Sequence, residues 1–73
     1  MNTDEYINTL TEQIRCKKAR HAVAEEIRAH IEDQKQEYLC EGADEAEAEE
    51  MAVKEMGDPI EAGVALDTIH RPK

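Results

Sequence analysis

Two cysteines, three histidines and eighteen carboxylates are the groups in this 73-residue chain that could hold a metal or move a proton. A structural zinc site needs four ligands, normally in short-spaced pairs. The available donors are Cys16, Cys40, His21, His30 and His70, and none of their pairs has metal-ligand spacing on one helix face. No metal and no cofactor is therefore expected. Glu25-Glu26 and Glu32-Asp33 are sequential acids that point to different sides of a helix, whereas glycosidase carboxylates face one another across a sugar-sized cleft. The acids of 44–50 lack the spacing of a calcium loop, and the chain has neither a nucleophile motif nor a glycine-rich phosphate loop. The expectation is a protein without catalytic residues, not an enzyme. His30 reads as a boundary histidine bonded to a neighbour, His21 as exposed at a helix start, and His70 as a cation at a helix end. Cys40 reads as partly buried, and both thiols as reduced.

The charge is -9, with 18 acidic and 9 basic residues. This argues against a nucleic-acid backbone, whose phosphates need Lys and Arg, and against an anionic membrane surface. Apolar runs reach only three or four residues, as at Gly63-Val64-Ala65-Leu66, so no segment inserts directly into a bilayer. The start, Met1-Asn2-Thr3-Asp4-Glu5, is too acidic and polar for a signal peptide. The charge is also uneven. Arg15, Lys17, Lys18 and Arg20 make a basic cluster, while residues 41–61 are strongly acidic. These four cations, with Tyr38, Leu39 and Met51, form the candidate interaction surface. Leu39 lies off the main apolar stripe of its helix, and a thin core leaves apolar surface for a partner.

These groups must be carried on helices. Tyr6, Ile7, Leu10 and Ile14 make one apolar stripe, capped by Asn2 or Thr3, which predicts helix 1 over 3–15. Helix 2 is predicted over 19–41, stopped by Gly42. It is the longest element and the expected centre of the bundle. Its boundary with helix 1 lacks Gly, Pro or a strong cap, so one kinked helix is the alternative. Asp44 opens helix 3 with a capping-box pattern to Glu47, and Gly57 ends it. Asp58-Pro59-Ile60-Glu61 opens helix 4, which runs to about 69. Gly63 inside that helix suggests a close crossing by a neighbour. The predicted fold is an all-α bundle of three main helices plus a short C-terminal fourth. The predicted core is Ile7, Leu10, Ile14, Val23, Ile27, Ile31, Ala48, Ala52, Met56, Ile60, Leu66 and Ile69. Residues 1–70 form the expected domain, and 71–73 the start of a linker.

Two stretches carry a family resemblance. One is Ile14-Arg15-Cys16-Lys17-Lys18-Ala19-Arg20 with Glu25-Glu26-Ile27 and His30-Ile31-Glu32-Asp33-Gln34. The other is Met56-Gly57-Asp58-Pro59-Ile60-Glu61-Ala62-Gly63, followed by Leu66-Asp67-Thr68-Ile69-His70-Arg71-Pro72-Lys73. Together they resemble the N-terminal cytosolic helical domain of Firmicutes membrane proteins called permease prefix domain 1, itself similar to the HAAS signalling domain. The closing stretch resembles the segment before the membrane region in clostridial FtsW/RodA/SpoVE-type cell-cycle proteins. The family pattern carries Pro near position 21, where this chain has His21. The resemblance implies a non-catalytic regulatory or protein-interaction domain on the cytoplasmic side of the cell membrane. It implies a protein partner: the protein's own membrane region, another copy in a weak homo-oligomer, or a regulator. The alternative it implies is a HAAS-type domain of a permease or sensor, paired with a winged-helix, PadR-like transcription regulator.

Overall fold

A computed structural model describes residues 1–69 as four α-helices, α1 (Thr3–Glu12), α2 (Lys17–Cys40), α3 (Glu45–Glu55) and α4 (Pro59–Ile69), with no strand among the described residues. This is the predicted all-α bundle. The expectations for His70 and for the linker at 71–73 lie outside the described residues.

Local chemistry sets most boundaries. The Asn2 side chain accepts from the Glu5 amide at 2.8 Å, and Glu5 accepts in return from the Asn2 amide at 3.2 Å, closing a capping box. Asp44 caps α3 by accepting from Glu47 N at 2.8 Å, and Asp58 caps α4 by accepting from Ile60 N at 2.8 Å. Gly42 has φ +106° and follows the end of α2. There the Ala43 amide donates to Tyr38 O and the Gly42 amide to Leu39 O, the paired bonds of a Schellman stop.

The α1–α2 boundary differs from the expectation. α1 ends at Glu12 and α2 begins at Lys17, so the single kinked helix does not form. The cause is long-range. The Arg15 amide donates to the Asp67 carboxylate of α4 at 2.8 Å instead of to a helical carbonyl. Ile14 is turned fully inward, and the Arg20 guanidinium closes the link by donating from Nε to Ile14 O at 2.6 Å.

The centre of the bundle is α1, not α2. α1 packs against α2, α3 and α4, whereas α4 packs on α1 alone. α1 buries Thr3, Tyr6, Ile7 and Leu10 along one stripe, while the longer α2 fully buries only Val23 and Ile31. The core joins Tyr6, Leu10, Ile14, Val23, Ile31, Ala52 and Val53, with Ile27, Met56 and Leu66 half-buried against it. Two expected core residues are outside: Ile60 is 52% exposed and Ile69 73%. α4 is apolar on nearly every side, and its inward face is taken by Gly63 and Asp67. His30 and Cys40 are also exposed, not buried at a boundary. His30 falls on the wheel to the side of Ile27 away from Ile31, about 100° from Ile31, beyond the reach of a core this thin.

Candidate interaction surfaces

The four cations of the basic cluster have separate duties. Arg15 and Arg20 work inside the fold. The Arg15 Nε lies 3.1 Å and Nη2 3.0 Å from Asp67 Oδ2, so one carboxylate accepts from both the backbone and the guanidinium of Arg15. Arg20 is half-buried over the Ile14 carbonyl. Lys17 and Lys18 are exposed at the first turn of α2, and neither makes an ion pair among the described residues.

Their position follows from geometry. The molecule measures 46 × 17 × 15 Å. A 24-residue helix is roughly 36 Å long at 1.5 Å per residue. α2 therefore fits only along the long axis. Lys17 and Lys18 stand near one end of that axis. The Gly42 turn and the acidic start of α3, with exposed Asp44, Glu45 and Glu47, stand toward the other.

Tyr38 and Leu39, on the last turns of α2, are half-buried, as is Met51 in the middle of α3. The Tyr38 hydroxyl donates to Glu55 Oε1, while the Glu55 Oε2 accepts from Gln34 Nε2 at 3.0 Å. That hydrogen bond is the main reason the Tyr38 phenol is pushed up to about 12; desolvation and the charges of Glu55, Glu41 and Glu37 add to it. The phenol therefore serves first as a brace between α2 and α3. A second brace links Thr3 to α3, its hydroxyl donating to Glu49 Oε2 at 2.9 Å. A third links buried Tyr6 to the α3–α4 corner through the Met56 carbonyl at 3.2 Å. Burial, then the charge of Asp58, raises the Tyr6 phenol too.

The described residues contain no group of three His, Cys, Asp or Glu side chains placed to hold a metal ion. Both thiols are free. A shallow depression opens to solvent between Met1, Glu50, Val53 and Lys54. None of the described helices is long and apolar enough to cross a membrane.

Two features escape a reading of local spacing. Asp67 is the carboxylate that anchors the α1–α2 link, and its signal is a lone acid in the apolar run from Gly63 to Ile69. The other is the set of exposed apolar side chains on α4, Ile60 and Val64 at 52% and Ile69 at 73%, which do not share one face. Its signal is a helix with more apolar sides than one neighbour can cover. No protein-family model, curated protein or solved structure matches the chain.

Proposed function

We propose that this chain is a non-catalytic regulatory and protein-interaction domain at the cytosolic N-terminus of an FtsW/RodA/SpoVE-type cell-division or cell-shape membrane protein. The family part rests on the resemblance of Met56–Gly63 and Leu66–Lys73 described above. The interaction part rests on one observation: Lys17 and Lys18, without an ion pair among the described residues, stand near one end of the long axis, and the exposed acids of α3 begin toward the other. Opposite charge at two separated ends favours docking against a partner that presents the complementary sign, and sets orientation more than affinity. The partner is an acidic or basic cytosolic segment of the same protein's membrane region, another copy, or a regulator. Tyr38 and Leu39, toward the Gly42 end, and Met51 in α3 add half-buried apolar surface.

The test is co-purification of the full-length protein with and without residues 1–73. Loss of a specific partner on deletion, reproduced by reversing Lys17 and Lys18 to Glu, supports the reading. An unchanged partner set would overturn it.

A further inference from the structure

α4 contributes little to the core it closes. Among the described residues, every buried apolar side chain lies between Tyr6 and Val53. α4 adds Ala62 and Leu66, both half-buried, and buries Gly63 and Asp67. Its other large apolar groups, Ile60, Val64 and Ile69, are exposed and gain nothing from its seat. It packs on α1 alone. An isolated helix shorter than about 12–15 residues is marginal in water, and α4 has 11. It therefore keeps its own hydrogen bonds only while seated on α1.

What seats it is specific rather than large. Gly63 lets the Leu10 carbonyl and Gln13 of α1 approach closely. One turn on, the Asp67 carboxylate accepts from the Arg15 amide at 2.8 Å and from the Arg15 guanidinium at 3.1 and 3.0 Å. The Arg15 amide belongs to the α1–α2 link, outside either helix, so its protection depends on Asp67. The same link carries Ile14, whose carbonyl accepts from Arg20 at 2.6 Å, and it leads directly into Lys17 and Lys18. The approach to α2 is thus held by a carboxylate 52 residues beyond Arg15. When α4 leaves, the Arg15 amide loses its acceptor and the first turn of α2 loses its fixed approach from α1.

We propose that α4 is a releasable helix latched at Asp67, and that its release and the loosening of the α1–α2 link are one event. The device couples α4 to the basic end of the molecule. With α4 seated, Lys17 and Lys18 are fixed relative to α1; with α4 released, they are free to reorient. Opening of one element at a smaller cost than whole-domain unfolding is ordinary where few apolar contacts are buried. The proposal concerns the domain itself and stands whichever partner it binds.

The test is native-state hydrogen exchange of the ¹⁵N-labelled chain, followed by NMR where closing outpaces exchange. The Arg15 amide reports the latch, the amides from Gly63 to Asp67 report α4, and the Ile31 amide in α2 reports the core. Arg15 and α4 should share one opening constant, about tenfold or more above that of Ile31. Both should rise with dilute urea along one slope, shallower than the Ile31 slope, because release exposes less surface than unfolding.

Three variants add to this. Ile31→Val should speed Ile31 exchange several-fold and leave Arg15 and α4 unchanged, because the released state keeps the same core around Ile31. Gly63→Ala overpacks the crossing and leaves Asp67 in place, and it should speed Arg15 and α4 together by about tenfold. The sign is diagnostic, since the same change in an unseated helix would slow α4 exchange by raising helix propensity. Asp67→Asn keeps the shape of the latch but removes its charge and turns an amide N–H toward the guanidinium, and it should speed α4 by a similar factor.

Equal exchange of α4 and Ile31 in the wild-type chain, or Ile31→Val speeding α4 as much as the core, would overturn the proposal, because α4 would then unfold only with the whole domain. So would separate urea slopes for Arg15 and α4, or Gly63→Ala speeding α4 while Arg15 keeps its protection, since either uncouples the link from the helix. The wild-type slopes and Ile31→Val decide the matter even if Gly63→Ala does not fold.

Discussion

Gly63 shows how a single missing Cβ sets the geometry of this fold. A Cβ there would lie 2.8 Å from the Cβ and Cγ of Gln13 and closer still to the Leu10 carbonyl oxygen of α1. Glutamine can move, but a helical backbone carbonyl cannot without shifting α1, which touches every other helix. In an exposed helix, Gly→Ala would gain about 1 kcal/mol. Here the clash reverses the sign, and Gly63→Ala should destabilise by about 1–3 kcal/mol as an overpacking change, read as a fall in the thermal midpoint. A rise would mean that α4 does not sit this close to α1. The tyrosines give a pH prediction. Both phenols are raised, Tyr38 to about 12, so the folded state favours their protonated forms. Their contribution to stability is whole below the ordinary value of about 10 and is lost as pH climbs from there through the folded values. Tyrosinate absorbance of the native protein should show no step at about pH 10. Glu55→Gln should move the Tyr38 step down toward that value, because it removes both the charged acceptor and its field. Were Tyr38 to titrate normally in the native chain, the brace to Glu55 would not exist in solution.

The α3–α4 corner is where helix ends are specified most tightly. Met56 closes α3, Gly57 turns at φ +84°, Asp58 caps, and Pro59 starts α4, with no spare residue between. A Cβ on Gly57 would meet nothing within 4 Å. Substitution there therefore costs backbone conformation alone, and the cost grows with branching at Cβ. The expected thermal midpoints fall in the order wild type, Gly57→Ala, Gly57→Val. Asp58→Ala should cost about 0.5–2 kcal/mol by orphaning the α4 amides, measurable by urea unfolding. Equal midpoints for the two Gly57 variants would show that the turn relaxes to an ordinary φ. The corner was legible in the sequence because caps and stop glycines act within a few residues. What was not legible depends on distant partners. The apolar pattern of α4 cannot say which side faces inward, so it points Ile60 and Ile69 at a core that in the structure excludes them. Gly63 and Asp67 mark the true inward side, but only against α1. The end of α1 was likewise hidden, since it is set by Asp67, 52 residues beyond Arg15.

At the scale of the whole molecule, the cluster of Arg15, Lys17, Lys18 and Arg20 was visible as charge but not as surface. Two of the four are occupied within the fold, which leaves Lys17 and Lys18 to define the basic end. That end and the start of α3 are separated along an axis of 46 Å. The Debye length is about 10 Å at 0.1 M salt. At that ionic strength the two ends act as separate local charges rather than as one net charge of -9. A copy docking its basic end on another's acidic α3 makes a heterologous contact, which leaves both outer ends free and grows into open chains rather than a closed dimer. Sedimentation of residues 1–73 should therefore show mass rising with concentration past the dimer at about 0.1 M salt, where the ends still attract. The rise should shrink at about 0.5 M, as screening shortens that attraction further. Reversing Lys17 and Lys18 to Glu should abolish it, while Val64→Asp should not, because Val64 takes no part in this contact. Each exposed ion pair contributes only about 0–1 kcal/mol, so the chains should be weak and concentrated solutions are needed to see them. A monomer at every concentration and salt would remove self-docking.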